Sequence, residues 1–256
     1  MTVDNLTPAQ RFFWAANGYL LIEDALTPDE IGAYSRAADA AAERWRRTPE
    51  LPGCRNPDFE EVEGILEYDR LFLDLLDHPR LFPLIREVLG PDIQLIDHAY
   101  YLTPPGNGVR GSAWHSDVGR RMPGVDHNRS VMMVRLMVPL EDVPAAGGAT
   151  LILPGSHRFP PEVEIPKVEA PEDMPGALPL VCKAGSAYFF NGHLHHCPGN
   201  NRSSRTRRML LLNYGHRWMR MWKGHEPSAW LKSQAETPMR QQLLGMWRAY
   251  YGPNAE

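Results

Sequence analysis

The spacing of apolar residues changes near position 90 and again near position 228. Before the first change it is mostly helical, with explicit start and stop signals. Thr7, Pro8 and Gln10 read as an N-cap, a first-turn proline and a capping-box partner, and Gly18 reads as a left-handed terminator. Tyr19 to Glu23 is a short strand-like run. Thr27, Pro28 and Glu30 then repeat the start signal ahead of an alanine-rich helix ending at Arg47. Leu51 to Tyr68, with its prolines and Gly53, predicts a loop. Asp69 to Leu76 and His78 to Leu89 predict helices, broken by Gly90-Pro91.

From Ile93 the texture becomes one of short apolar runs between proline and glycine turns: Ile93 to Thr103, Val131 to Leu140, Ala149 to Leu153, Ala187 to Asn191 and Met209 to His216. Such spacing predicts a sandwich or barrel. In the strand from Val131, Met133, Arg135 and Met137 share one face. That places an arginine in an apolar setting, to pair either with a substrate anion or with a protein carboxylate. Gly147-Gly148 and Pro154-Gly155-Ser156-His157 read as turns flanking a strand. The proline-rich stretch from Phe159 to Pro179 reads as an insertion between strands, suited to a lid. Ser228 to Tyr251 returns to helical periodicity, with Trp230, Leu231, Leu243, Leu244 and Trp247 as packing residues over the barrel. The expectation is one domain over 1–256, with a helical part to about residue 90, a β core over about 91–217 and a helical tail over about 228–251.

Composition narrows the function classes. The chain has 256 residues, 43% of them hydrophobic, enough for a large core, and its net charge of -4 excludes a strongly basic nucleic-acid binder. A small molecule is the expected partner, and the sequence does not specify an oligomeric state. Cys54, Cys182 and Cys197 are odd in number and fit neither a disulfide framework nor a metal ribbon. With no secretory leader and no membrane-length apolar run, they predict a cytoplasmic protein.

The chemistry-bearing segment is Trp114-His115-Ser116-Asp117. In extended backbone, residues two apart point the same way, so His115 and Asp117 can address one metal ion. A surface histidine beside an aspartate has the same spacing. Three histidines follow the Ala187 to Asn191 strand, in Asn191-Gly192-His193-Leu194-His195-His196-Cys197-Pro198-Gly199-Asn200-Asn201-Arg202-Ser203. Together with Pro154-Gly155-Ser156-His157 and the Asn17-Gly18-Tyr19-Leu20 opening, these blocks resemble the phytanoyl-CoA dioxygenase family of iron(II)- and 2-oxoglutarate-dependent oxygenases.

The resemblance implies a mainly β fold with flanking helices: a double-stranded β-helix, or cupin-like jelly-roll barrel, with a helical N-terminal region and a C-terminal helix. It implies His115, Asp117 and His196 as metal ligands and catalytic centre, leaving His193 and His195 to structure. It also implies Arg207, eleven positions after His196, as the clamp on the distal carboxylate of 2-oxoglutarate, with Arg205 and Arg208 as solvated neighbours. The serine common two residues after the distal histidine is Pro198 here, so His98 and Tyr100, which share a strand face, are the expected suppliers of a cosubstrate hydrogen bond, with a satisfied polar group of the core as the other reading of each. The cofactors implied are iron(II), 2-oxoglutarate as cosubstrate and dioxygen. The reaction implied is hydroxylation, with desaturation or ring closure open on the same scaffold; Arg135 on its strand face, with Arg120 and Arg121 in the segment after the metal motif, are the expected contacts of a small or medium-sized, anionic substrate. The retained carboxylate disfavours a halogenase. A cupin-type metal enzyme that does not use 2-oxoglutarate, or a non-catalytic metal-binding protein, is the alternative.

Overall fold

The computed structural model describes residues 6–106, 113–118, 131–160, 162–222 and 224–246. Its two opening helices form where their caps predict. The first, α1 (Pro8–Asn17), and the second, α2 (Pro28–Arg47), each begin with a complete threonine capping box, on Thr7 with Gln10 and on Thr27 with Glu30. Gly18 ends α1 with φ at 76°, and β1 (Tyr19–Ile22) lies between the two helices.

The expected loop over 51–68 is instead a hairpin. The strands β2 (Gly53–Asn56) and β3 (Phe59–Glu63) meet at a two-residue turn, Pro57-Asp58, where Asn56 Oδ1 accepts from the Asp58 N–H at 2.9 Å. The following helices are shorter than predicted, α3 (Phe72–Leu76) and α4 (Phe82–Leu89).

All five strands expected after residue 93 form, and two short unexpected ones join them, giving β4 (Ile93–Thr103), β5 (Met133–Pro139), β6 (Leu151–Ile152), the unexpected β7 (Leu178–Pro179), β8 (Ala187–Asn191), the unexpected β9 (His196–Cys197) and β10 (Arg207–His216). Among the described residues they make a seven-stranded antiparallel sheet in the order β1-β8-β5-β10-β4-β3-β2 and a three-stranded sheet in the order β7-β6-β9. The tail supplies α5 (Ala229–Ser233) and α6 (Pro238–Leu243), which bury Leu231, Leu243 and Leu244 but leave Trp230 exposed. Trp247 lies outside the described residues. No helix among the described residues is long and apolar enough to cross a membrane.

The two faces of the large sheet differ. One packs Leu136, Leu210, Leu212 and Tyr214 against Tyr34, Trp45, Phe72 and Ile85 from the helices. The other turns Met137, Tyr188, Phe190, Met209 and Leu211 towards Ala149, Ile152 and Leu194 near the small sheet. Alternation therefore gives each central strand one helix-facing row and one row facing the space between the sheets.

Candidate metal and cosubstrate site

A backbone zipper brings the three predicted ligands together. His115 N–H donates to His196 O at 3.0 Å, His196 N–H donates to His115 O at 2.9 Å, and Val118 N–H donates to Gly192 O at 3.1 Å. His115 and His196 are thus directly opposed in an antiparallel bridge, which turns their side chains to one face; the ring centroids lie 4.3 Å apart. Asp117, two residues along, joins that face. Its Oδ1 lies 3.7 Å from Nε2 of each histidine, and one donor atom from each of the three residues falls within a 4.8 Å cluster.

The hydrogen bonds prepare these atoms for a metal. His115 Nδ1 faces the Ala113 carbonyl at 2.8 Å and His196 Nδ1 faces the Leu194 carbonyl at 3.0 Å. A carbonyl only accepts, so each Nδ1 carries a proton and each Nε2 is the ring nitrogen left to face a metal. His196 Nε2 and Asp117 Oδ2 are buried and have no partner. Burial holds the His196 imidazole neutral by lowering its pKa to about 3. These two unpartnered atoms, with His115 Nε2 beside them, suit a divalent metal with open positions, whereas a structural zinc site would be closed by a fourth ligand. His115 is half exposed and His196 buried, so the cluster opens on one side.

The cluster lines a cavity of about 450 Å³ between the sheets. Arg207 enters it from the start of β10. Asn201 in the preceding turn is fully buried and donates to both Thr103 O and Arg205 O at 2.8 Å, fixing the path into β10. The Arg207 guanidinium donates to Gly148 O through Nη1 and to Thr103 Oγ1 through Nη2 at 3.3 Å, while its Nε is buried without a partner. Among the described residues it has no ion pair, and burial lowers its pKa. A buried guanidinium held by neutral oxygens can receive an anion. Its neighbours Arg205 and Arg208 do not line the cavity, and Arg208 is paired with Glu141 and Asp39.

Two expectations need correction. His98 and Tyr100 share a strand face, but it is the helix-facing one: Tyr100 donates to Asp39 at 3.0 Å, and His98 Nδ1 accepts from the Leu66 N–H at 3.2 Å. Both faces of β4 are buried, so apolarity does not choose between them. A register shift between Asn213 and Tyr214, where Asp97 and Leu95 pair but Ile96 is skipped, also changes the parity along the strand. Tyr101 is the residue that lines the cavity.

Arg135 does line the cavity beside Met137, but its Nη2 donates to Asp117 Oδ1 at 2.7 Å. Of the two partners open to it, it has taken the protein carboxylate. Although burial opposes its charge, Asp117 and the neighbouring acidic groups raise the Arg135 pKa. Arg120 and Arg121 lie outside the described residues.

The insertion over 159–179 is tied to the edge of this site. Trp114 Nε1 donates to Pro171 O at 3.0 Å, and Glu172 accepts from Asn200 N and Nδ2, both at 3.0 Å. Ser156 of the predicted turn receives the His195 N–H at 2.8 Å, a structural role. Sequence reasoning missed Phe59, Glu61, Thr150 and Trp222, which also line the cavity. The Asn56-Pro57-Asp58 turn and the alternation through Phe59, Glu61 and Glu63 were the available signal for the first two.

Comparison with known proteins establishes the fold and the family. HygX from Streptomyces hygroscopicus, a structure with nickel, 2-oxoglutarate and hygromycin B bound, superposes with a TM-score of 0.68 over 89% of this chain and 94% of its own, at 19% identity. The 2-oxoglutarate-dependent carbocyclase SnoK from nogalamycin biosynthesis gives 0.67 over 84% and 86%, also at 19% identity. At such identities these matches establish a shared fold. In sequence, the chain is 23% identical to an ectoine dioxygenase of Streptomyces coelicolor over 72% of this chain and 69% of that protein. It is 22% identical to the peroxisomal phytanoyl-CoA dioxygenase of Rattus norvegicus, over 84% and 70%. The phytanoyl-CoA dioxygenase (PhyH) family model matches residues 14–209, most of the chain, and the protein therefore belongs to that family of non-haem iron, 2-oxoglutarate-dependent dioxygenases.

Proposed function

We propose that this protein hydroxylates an unactivated C–H bond of a small or medium-sized metabolite within a jelly-roll barrel. Substrate, 2-oxoglutarate and dioxygen would yield hydroxylated product, succinate and carbon dioxide. The observation carrying this reading is the buried Arg207, without an ion pair among the described residues, in the same cavity as an open three-ligand cluster. His115, Asp117 and His196 would hold iron(II), which when bound supplies the electrons for dioxygen activation. Arg207 would bind the distal carboxylate of the cosubstrate, with Thr103 and Gly148 fixing its plane. Arg135 would keep Asp117 aimed through its hydrogen bond to Oδ1. Met137 and Phe190 would exclude water from the reacting centre.

The test is succinate release from 2-oxoglutarate by anaerobically iron-loaded protein after oxygen is admitted, with Arg207→Ala as control. Release that the control loses supports the reading. Iron-loaded protein that neither binds nor consumes 2-oxoglutarate would overturn it in favour of a cupin-type or non-catalytic metal protein.

A further inference from the structure

The ligands and the arginines account for most of the charge in the cavity. Arg135 is paired with Asp117, and Arg207 faces an anion in the reading above, on which the present inference rests. Glu61 remains. It lies on β3 directly opposite Tyr101 of β4. Its sequence neighbours Glu60 and Val62 point the other way: Val62 is buried against the helices, and Glu60 pairs with Arg46 of α2 at 2.9 and 3.2 Å. The hairpin is therefore locked with Glu61 facing the cavity.

The surroundings of Glu61 are aromatic. Phe59, two residues earlier on the same face, packs edge-on to Tyr101 with centroids 5.1 Å apart, and Trp222 lines the same cavity and reaches solvent. The Trp222 backbone is fixed by its N–H donating to Ile96 O at 2.9 Å. Among the described residues Glu61 has no ion pair; the Tyr101 hydroxyl is its hydrogen-bond partner. A half-buried carboxylate with no ion-pair partner among the described residues, framed by aromatic rings, matches an ammonium group, which ion-pairs with the carboxylate and is attracted to the ring faces.

We propose that Glu61, with Phe59, Tyr101 and Trp222, forms the subsite that binds a positively charged amino group of the substrate. The expected substrate is thus an amine, with the oxidised carbon on the side of the ammonium that faces His115, Asp117 and His196. This replaces the anionic substrate expected from Arg135, whose guanidinium is engaged by Asp117.

Three near-isosteric probes test the proposal: benzylamine, benzyl alcohol and benzoate. Each is titrated calorimetrically into full-length protein loaded with nickel(II), both with and without 2-oxoglutarate, and the 2-oxoglutarate titration is read separately. We expect benzylamine to bind about tenfold more tightly than benzyl alcohol and, with 2-oxoglutarate occupying Arg207, benzoate to bind more weakly than either. Glu61→Gln should erase the preference for the amine while leaving 2-oxoglutarate affinity unchanged, and Trp222→Leu should reduce it severalfold. An amine that binds no better than the alcohol, or a preference that survives Glu61→Gln, would overturn the proposal whether or not 2-oxoglutarate binds. Failure of 2-oxoglutarate to bind the wild type would instead overturn the oxygenase reading, since the probe preference is measured without it as well.

Discussion

The wall of the cavity bearing His115, Asp117 and His196 and the wall bearing Glu61 are held in place by different parts of the fold. Reciprocal main-chain hydrogen bonds between His115 and His196, and that from Val118 to Gly192, set the first. Such bonds leave little freedom in where a side chain starts. On the other wall, the face that β3 presents is selected by side chains: the Arg46–Glu60 pair, the burial of Val62, and the Arg55 guanidinium 4.0 Å above the Trp45 ring. Exposed ion pairs of this kind contribute on the order of 0–1 kcal/mol each. The comparison teaches that the reacting centre rests on main-chain bridges, and the recognition wall on a separate strand ladder to β4 whose outer face is packed on α2, so the two should fail separately.

The largest expected effect is on the first wall. Asp117→Ala should lower succinate formation at least about a hundredfold and weaken metal binding; near-normal turnover would remove this carboxylate from the ligand set. Arg207→Ala should raise the Kd for 2-oxoglutarate by about a hundredfold, the loss of charge-assisted hydrogen bonds to a buried carboxylate. Arg207→Lys should recover only part, because an ammonium lacks the planar fork.

On the second wall, Gly53→Ala is the sharper probe. Gly53 has φ at 135°, and a Cβ there would lie 2.0 Å from the Glu61 carbonyl oxygen. The substitution should cost about 2 kcal/mol of stability and displace the hairpin. Amine preference should fall while 2-oxoglutarate affinity stays within about twofold; joint loss of both would show that the walls are not independent.

A smaller effect separates Glu61 from its surroundings. Burial, then Asp97 and Glu63, push its pKa up, and the Tyr101 hydroxyl and Arg135 pull it down; the outcome is about 7, against 4.5 for an unperturbed carboxyl. A raised carboxyl pKa destabilises the fold when the group ionises, a cost that grows as pH rises from 4.5 and is complete above 7. Glu61→Gln should therefore raise Tm at pH 8, with the gain shrinking towards pH 4.5, and benzylamine binding to the wild type should strengthen as pH rises through 7. A flat pH profile for both would contradict this account of the carboxylate. As a control, Thr27→Ala should cost about 1 kcal/mol through loss of the α2 cap and alter neither affinity.

The first wall was largely legible in the sequence. His-x-Asp on extended backbone needs only alternation to bring two ligands together, and the resemblance supplied His196 and Arg207. The caps of α1 and α2 and the bounds of β4 and β8 were equally legible because threonine, proline and glycine act locally. Three features were not. The face of β4 depends on a register shift against β10, a relation between strands distant in sequence, so Tyr100 was chosen over Tyr101. The β2–β3 hairpin reads as a loop because its prolines and Gly53 outweigh a strand only a few residues long. The Arg135 partner lies eighteen residues away across a segment with no regular pattern.

The strand order of the large sheet has an evolutionary consequence. β4 and β10, which carry Tyr101 and Arg207, pair with strands on both sides, whereas β2 and β3 close one end of the sheet. A change at an inner strand must be accommodated by two neighbours, whereas a change in the terminal hairpin need satisfy only β4 and α2. Residues 53–63 are thus an exchangeable part: drift or deliberate grafting there can redirect the enzyme to new molecules while the machinery that consumes 2-oxoglutarate is inherited intact.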